Sequence, residues 1–147
     1  MNTSWQVEID ALGAFAPYRF TVIFAHYRGE WLYARHKNRD TYETAGGHVE
    51  PGETPLECAK RELVEETGAV KFSIEPAFDY AVHTEKGSAT GQVFYAEVKQ
   101  LGKLPEGSEM AEVRLFPGIP KKMTYPAVLP VLYEEMRTLL LRGNDLI

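Results

Sequence analysis

An α/β fold, with helices covering a mixed β-sheet, is what this sequence predicts. Three observations carry that expectation. Segments with period-two patterning come first, and an amphipathic segment at 55–67 follows them. More strand-like segments come next, and a second helical pattern closes the chain from Pro126.

Each element has its own warrant. Trp5, Val7 and Ile9 alternate with polar residues, as in a half-buried strand. Phe20–Ala25 (FTVIFA) and Trp31–Ala34 (WLYA) read as strands joined by a turn around Arg28-Gly29-Glu30. A polar, mostly basic loop follows at Arg35-His36-Lys37-Asn38-Arg39-Asp40, and Thr41 to Ala45 lead into Gly46-Gly47. Thr54 can cap a helix, Pro55 suits its first turn, Glu57 completes a capping box, and Gly68 ends it. Phe78–Thr84 and Gln92–Val98 read as strands paired across the region Glu85 to Ser88, and Val113–Phe116 as a shorter strand. In the last helix Val128, Leu132, Met136, Leu139 and Leu140 follow helical spacing.

Bulk properties exclude several classes. The 147 residues fit one domain spanning 1–147, with 44% hydrophobic and 25% charged residues. No apolar run reaches the ~18 residues that read as a membrane helix. The opening MNTSWQVEID does not read as a secretory signal. A single cysteine, Cys58, points to a reducing, cytoplasmic setting and reads as a small packed residue rather than a nucleophile. A net charge of −5 argues against a stable nucleic-acid partner held by charge alone. Anionic small molecules stay open, because a bound divalent metal reverses the local field.

The chemistry concentrates in GGHVEPGETPLECAKRELVEETG, Gly46 to Gly68. On a wheel at about 100° per residue, Leu56, Ala59 and Leu63 form one stripe, flanked by Thr67 and Val64, that reads as the core face. Glu62, Glu65 and Glu66 fall together on the other side. Hard oxygen ligands at that spacing suit Mg²⁺ or Mn²⁺. The alternative is a solvated acidic helix face. Against it stand the glycine-rich approach at Gly46-Gly47 and Pro51-Gly52, and Arg61, which can pair with Glu53 and lock loop to helix.

Gly47, five residues, Glu53, seven residues and then Arg61-Glu62-Leu63-Val64-Glu65-Glu66-Thr67-Gly68 resemble the signature box of the Nudix hydrolases. Two positions depart from the family's preferences, Ala69 for a bulky aliphatic and Ala45 for a proline; both concern packing and loop stiffness. The resemblance implies an α/β/α sandwich around a mixed sheet. It also implies metal-dependent hydrolysis of a nucleoside diphosphate linked to a second group. Glu62, Glu65 and Glu66 would bind Mg²⁺ or Mn²⁺, helped by a main-chain carbonyl at Gly46 or Gly47, with Arg61 and Glu53 completing the catalytic set. The proton acceptor is Glu62 or Glu65, or a later carboxylate among Glu106, Glu109 and Glu112, of which Glu109 and Glu112 are the candidates for an extra ligand or base.

Substrate-binding candidates are Arg35 from the basic loop, for phosphate, and Tyr42 and Glu43, where related enzymes approach a nucleobase. A solvated hairpin end and ordinary sheet positions are the alternatives for these three. His83 reads as a strand histidine, and Tyr125-Pro126 as a pocket rim or a helix cap. The tail from Gly91 to Pro126 resembles a bacterial branch of the family acting on nucleoside triphosphates, oxidised purines such as 8-oxo-dGTP included. Conversion of a triphosphate to the monophosphate and pyrophosphate ranks first. Removal of pyrophosphate from RNA 5′ ends, and hydrolysis of dinucleoside polyphosphates or ADP-ribose, are the alternatives within the enzyme class. A non-catalytic nucleotide sensor is the alternative of another class. The sequence leaves a homodimer open.

Overall fold

Two apolar runs set the centre of the sheet. Ile23, Phe24 and Ala25 are buried in succession, as are Val93 to Ala96, so the strands that carry them are covered on both faces. The computed structural model describes residues 5–143. Its strands are β1 (Gln6–Asp10), β2 (Phe20–Tyr27), β3 (Glu30–His36), β4 (Tyr42–Glu43), β5 (Ala45–His48), β6 (Ala69–Thr84), β7 (Gly87–Leu101) and β8 (Met110–Phe116). The helices are α1 (Pro55–Thr67) and α2 (Leu129–Arg142).

All eight strands form one sheet in the order β1-β6-β7-β2-β3-β4, with β5 also on β2 and β8 also on β3. The β2–β7 pair is parallel and the remaining ladders are antiparallel, so the sheet is mixed. Ala59 and Leu63 of α1 pack with Ile23, Ala25, Phe94 and Ala96 on one face. Leu129, Leu132 and Met136 of α2 pack with Phe24, Trp31, Tyr33 and Tyr95 on the other. This is the expected α/β/α sandwich.

Local chemistry explains most boundaries. Arg28 and Gly29 both take positive φ, 53° and 85°, as a two-residue hairpin turn demands. Thr54 and Glu57 form the capping box, and Gly68 ends α1 at φ 79°. A Cβ at Gly68 would lie 2.6 Å from the Lys103 carbonyl oxygen, so only glycine fits there.

Several expectations change in detail. β6 begins at Ala69, well before Phe78, and its pairing with β7 shifts register between Pro76 and Phe78. Proline has no N–H for a ladder, which is why the sequence shows only the later half as a strand. Thr41 to Ala45, which lead into the glycines, carry β4 and the first residue of β5, and Gly46 and Gly47 lie within β5. α2 starts at Leu129, with Pro126 in the preceding turn. His83 is a strand histidine, its ring nitrogens 2.7 Å from Ser88 Oγ and 2.9 Å from Glu8 Oε1.

The wheel reading of α1 needs the largest correction. Leu56 is 37% exposed and Val64 38%, whereas Cys58, Ala59, Leu63 and Thr67 are buried. At about 100° per residue the buried arc therefore centres close to Glu66 and includes Glu62. Two of the carboxylates point into the protein, between α1 and β5, rather than away from the core.

Candidate active site

Room for those carboxylates comes from the glycines of β5. The strand pairs with β2 through Thr21↔Gly47 and Val22↔Gly46. A Cβ on Gly46 would collide with the Thr21 carbonyl oxygen, and its φ of 154° is one that side chains rarely adopt. The Gly46 N–H donates to Glu66 Oε1 at 2.9 Å. A Cβ on Gly47 would meet the Glu62 carboxylate, with its Cδ at 2.8 Å. Cys58 is fully buried 3.2 Å from Thr21 Oγ1, and burial foremost raises its thiol pKa, so it packs as a small core residue.

Arg61 gathers the acidic groups. Its Nε donates to Glu53 Oε2 at 2.7 Å and its Nη2 to Glu53 Oε1 at 3.0 Å, a two-point clamp between α1 and the preceding loop. Its Nη1 lies 3.0 Å from Glu62 Oε2 and 3.3 Å from Glu65 Oε1. Glu53 also accepts the Glu50 N–H at 3.0 Å. The Arg61 bond, followed by that N–H, holds the Glu53 carboxyl down at about 2. A carboxyl whose folded pKa is depressed stabilises the fold above its unfolded pKa and loses that contribution as pH falls through the folded value. We expect wild type to lose stability from about pH 4.5 down through about 2. Glu53→Gln should be weaker at pH 7 and show a shallower acid slope, read by thermal melts across that window.

Glu66 has the opposite environment. Burial, as the largest cause, pushes its carboxyl up to about 8, and the negative charges of Glu62, Glu43 and Glu109 add to the rise. The Gly46 N–H pulls against it. Burial also raises Glu62, opposed by Arg61. Among the described residues no three ligating groups converge into a finished cation cage. Arg61 Nη1 instead reaches both Glu62 and Glu65. The donor set nevertheless suits a divalent cation: half-buried carboxylates, a strand of glycine carbonyls beside them, and one carboxyl driven towards protonation by burial first and by neighbouring carboxylates after it.

The other predicted residues divide. Glu106 and Glu109 line the cleft in front of α1, as do Tyr42, Glu43, His36 and Arg39. Arg35 and Glu112 do not. Arg35 Nε donates to Glu112 Oε1 at 2.9 Å, and the Tyr42 hydroxyl donates to the same oxygen at 2.9 Å. In antiparallel β3 and β8, Arg35 stands opposite Glu112, so the two are committed to each other rather than to phosphate or metal. The Tyr42 ring rests on Phe116, centroids 5.1 Å apart, and so is engaged on its face as well as at its hydroxyl. Glu43 is bound by Arg39 at 3.1 Å.

Sequence reasoning missed Arg19, Phe20, His48, Tyr80 and Lys86, which also line the cleft. The signal was faint. Tyr80 lies in an alternating strand, and only the Tyr80↔Gly91 pairing shows why a glycine faces it. The cleft has a volume of about 1070 Å³ and runs from the α1 carboxylates across β5 and β2 to Tyr125 and Leu129.

Comparisons with known proteins agree with this geometry. The sequence matches the family described as "NUDIX domain" over residues 17–118. It is 31% identical over 102 residues to "Putative 8-oxo-dGTP diphosphatase YtkD" of Bacillus subtilis (strain 168). That match takes in 69% of this chain and 64% of the relative, so under two thirds of the relative's length is spanned. The crystal structure of a mutant of the Bacillus subtilis pyrophosphohydrolase BsRppH is 26% identical, with a TM-score of 0.80 over 95% of this chain and 92% of that one. The NUDIX domain of Shewanella oneidensis NrtR, complexed with ADP ribose, shares the fold at 17% identity, with a TM-score of 0.65 over 86% and 90% of the two chains. With the signature residues seated where α1 meets β5 and the family match spanning more than half its length, the chain belongs to the NUDIX domain family.

Proposed function

We propose that this protein hydrolyses a nucleoside diphosphate linked to a second group, and that its substrate is a nucleoside triphosphate, cut to the monophosphate and pyrophosphate. Oxidised purine triphosphates such as 8-oxo-dGTP are the first to test, in keeping with the name of the Bacillus subtilis relative. The observation that carries the reading is Glu66, a carboxyl buried among other carboxylates at the head of a cleft and pushed up to about 8. Such crowding costs stability unless a cation relieves it.

Glu62, Glu65 and Glu66, with the Gly46 or Gly47 carbonyl, would hold Mg²⁺ or Mn²⁺. A divalent cation bound there polarises phosphoryl oxygens and lowers the pKa of bound water. The chain's own groups do the rest. Arg61 and Glu53 hold α1 against the loop, so the ridge keeps its position. Glu65, about half exposed, and Glu109 line the cleft and would be the groups to take a proton from the attacking water. Arg19, Arg39 and Lys86 on the cleft wall offer positive charge to the polyphosphate.

The protein with Mg²⁺ should release pyrophosphate, not phosphate, from nucleoside triphosphates. The panel should include 8-oxo-dGTP, triphosphorylated RNA, dinucleoside polyphosphates and ADP-ribose. No product from any of them, with tight nucleotide binding, would overturn the reading in favour of a sensor. Metal uptake carries its own readout. Because burial pushes the Glu66 carboxyl up to about 8, binding Mg²⁺ at pH 7 should expel protons, measured as buffer-dependent heat in calorimetry. Glu66→Gln should abolish that release.

A further inference from the structure

The far end of the cleft has no role in the carboxylate chemistry, yet it is built with care. Across the sheet, Ile9, Tyr80, Gly91, Phe20 and His48 stand in one row, each opposite the next. The Tyr80 ring lies over Gly91, whose absent Cβ would sit 2.7 Å from the ring's Cζ and 2.8 Å from its hydroxyl oxygen. Only glycine lets the ring lie down this way. Phe20 meets His48 edge-on, ring centroids 4.7 Å apart. Trp5, Val82, Tyr125 and Leu129 complete the walls.

Tyr80 is only 5% exposed, and among the described residues its hydroxyl has no hydrogen-bond partner. Buried phenols normally find one. A second unpaired phenol in the core, Tyr33, is sealed away from solvent, whereas Tyr80 borders the open cleft. The Tyr80 hydroxyl is therefore left to cleft water, and a ligand group that replaces that water can take its hydrogen bond. A few hydrogen-bonding groups, Tyr80 among them, set in aromatic and aliphatic walls are the composition of a site that orients one flat ligand.

We propose that Tyr80 is a specificity-determining residue: a heteroaromatic base seats at this end of the cleft, and the Tyr80 hydroxyl hydrogen-bonds its edge. This rests on the nucleotide reading above and sharpens it. Three strand spacings, roughly 14 Å, separate the Tyr80 and His48 backbones. That is the scale of an extended nucleotide, whose phosphates would then reach Gly46, Gly47 and α1. The assignment moves base recognition from Tyr42, which is already bound at its hydroxyl and its face, to a tyrosine whose hydroxyl is unengaged.

The test uses metal-free calorimetry of the full chain with GMP, CMP and ribose 5-phosphate, alongside steady-state hydrolysis of GTP. Wild type should bind the base-bearing monophosphates at least tenfold more tightly than ribose 5-phosphate. Tyr80→Phe keeps the ring and removes only the unpaired hydroxyl. It should weaken GMP binding about tenfold and raise KM for GTP alike, with kcat within about twofold, while ribose 5-phosphate binding stays unchanged. Its Tm should equal or exceed that of wild type, because no native hydrogen bond is lost. Equal GMP affinity in wild type and Tyr80→Phe would overturn the proposal, as would ribose 5-phosphate binding as tightly as GMP, or no GMP binding at all. Tyr80-dependent binding without GTP turnover would sustain this inference and defeat the hydrolysis reading. Turnover indifferent to Tyr80 would do the reverse.

Discussion

Glu65→Gln should lower kcat by about 10²- to 10⁴-fold, the range for losing a positioned acid–base group, and leave the fold intact. The structure makes this the cleanest of the three carboxylate substitutions. The Glu65 side chain is 53% exposed, and among the described residues its one side-chain ion pair is the 3.3 Å approach to Arg61 Nη1. An exposed pair of that kind contributes little to stability, so the melting temperature should barely move. Glutamine keeps the size and loses only the charge. Glu66→Gln is a different experiment. The Glu66 carboxyl is largely buried and accepts the Gly46 N–H, and an amide oxygen can keep that bond. Glutamine spares the fold the cost of protonating a carboxylate that is ionised in the unfolded chain, so stability should rise while activity falls. Activity lost with stability unchanged for Glu65, and activity lost with stability gained for Glu66, is the signature of groups kept for chemistry at the expense of the fold. Turnover by Glu65→Gln within about threefold of wild type would remove Glu65 from the mechanism.

How far the sequence was legible depended on whether local rules and function agreed. α1 was readable to the residue at both ends, because Thr54, Glu57 and Gly68 act through their nearest neighbours. Its orientation was not. Hydrophobicity placed Leu56 and Val64 inside with Ala59, Leu63 and Thr67, yet the helix exposes those two and turns Glu62 and Glu66 inward, because β5 supplies two residues without side chains to receive carboxylates. That pairing of glycine with glutamate lies across a strand and a helix, and no periodicity along one segment reveals it. Arg35, Tyr42 and Glu112 show the same limit. The first two precede the signature and the third lies far beyond it, and only the β3–β8 pairing reveals that they satisfy one another. Tyr80 looked like any strand residue until its glycine partner was known.

Arg61→Ala should be the most damaging single change in the site, lowering the melting temperature by about 5–10 °C and activity by more than about 100-fold. Arg61 is the cation among Glu53, Glu62, Glu65 and Glu50, with nitrogen–oxygen distances of 2.7, 3.0, 3.3 and 3.8 Å respectively. Glu53 and Glu62 are only 14% and 13% exposed, so water is poorly placed to replace the guanidinium. Without it the carboxylates repel one another, and the loop carrying Glu53 loses its bond to α1. Lysine should recover little, because a point charge cannot make the two-point contact with Glu53 and still reach Glu62 and Glu65. The decisive control is Mg²⁺. If the ridge is a cation site, a divalent ion should restore part of the lost stability in Arg61→Ala, and should stabilise that variant more than wild type, because it supplies the missing positive charge. Glu65→Gln should dull the response and Glu53→Gln should spare it. An Arg61→Ala variant that melts like wild type, or whose melting ignores Mg²⁺, would mean that the carboxylates are held apart by solvent and that the arginine is an ordinary surface ion pair.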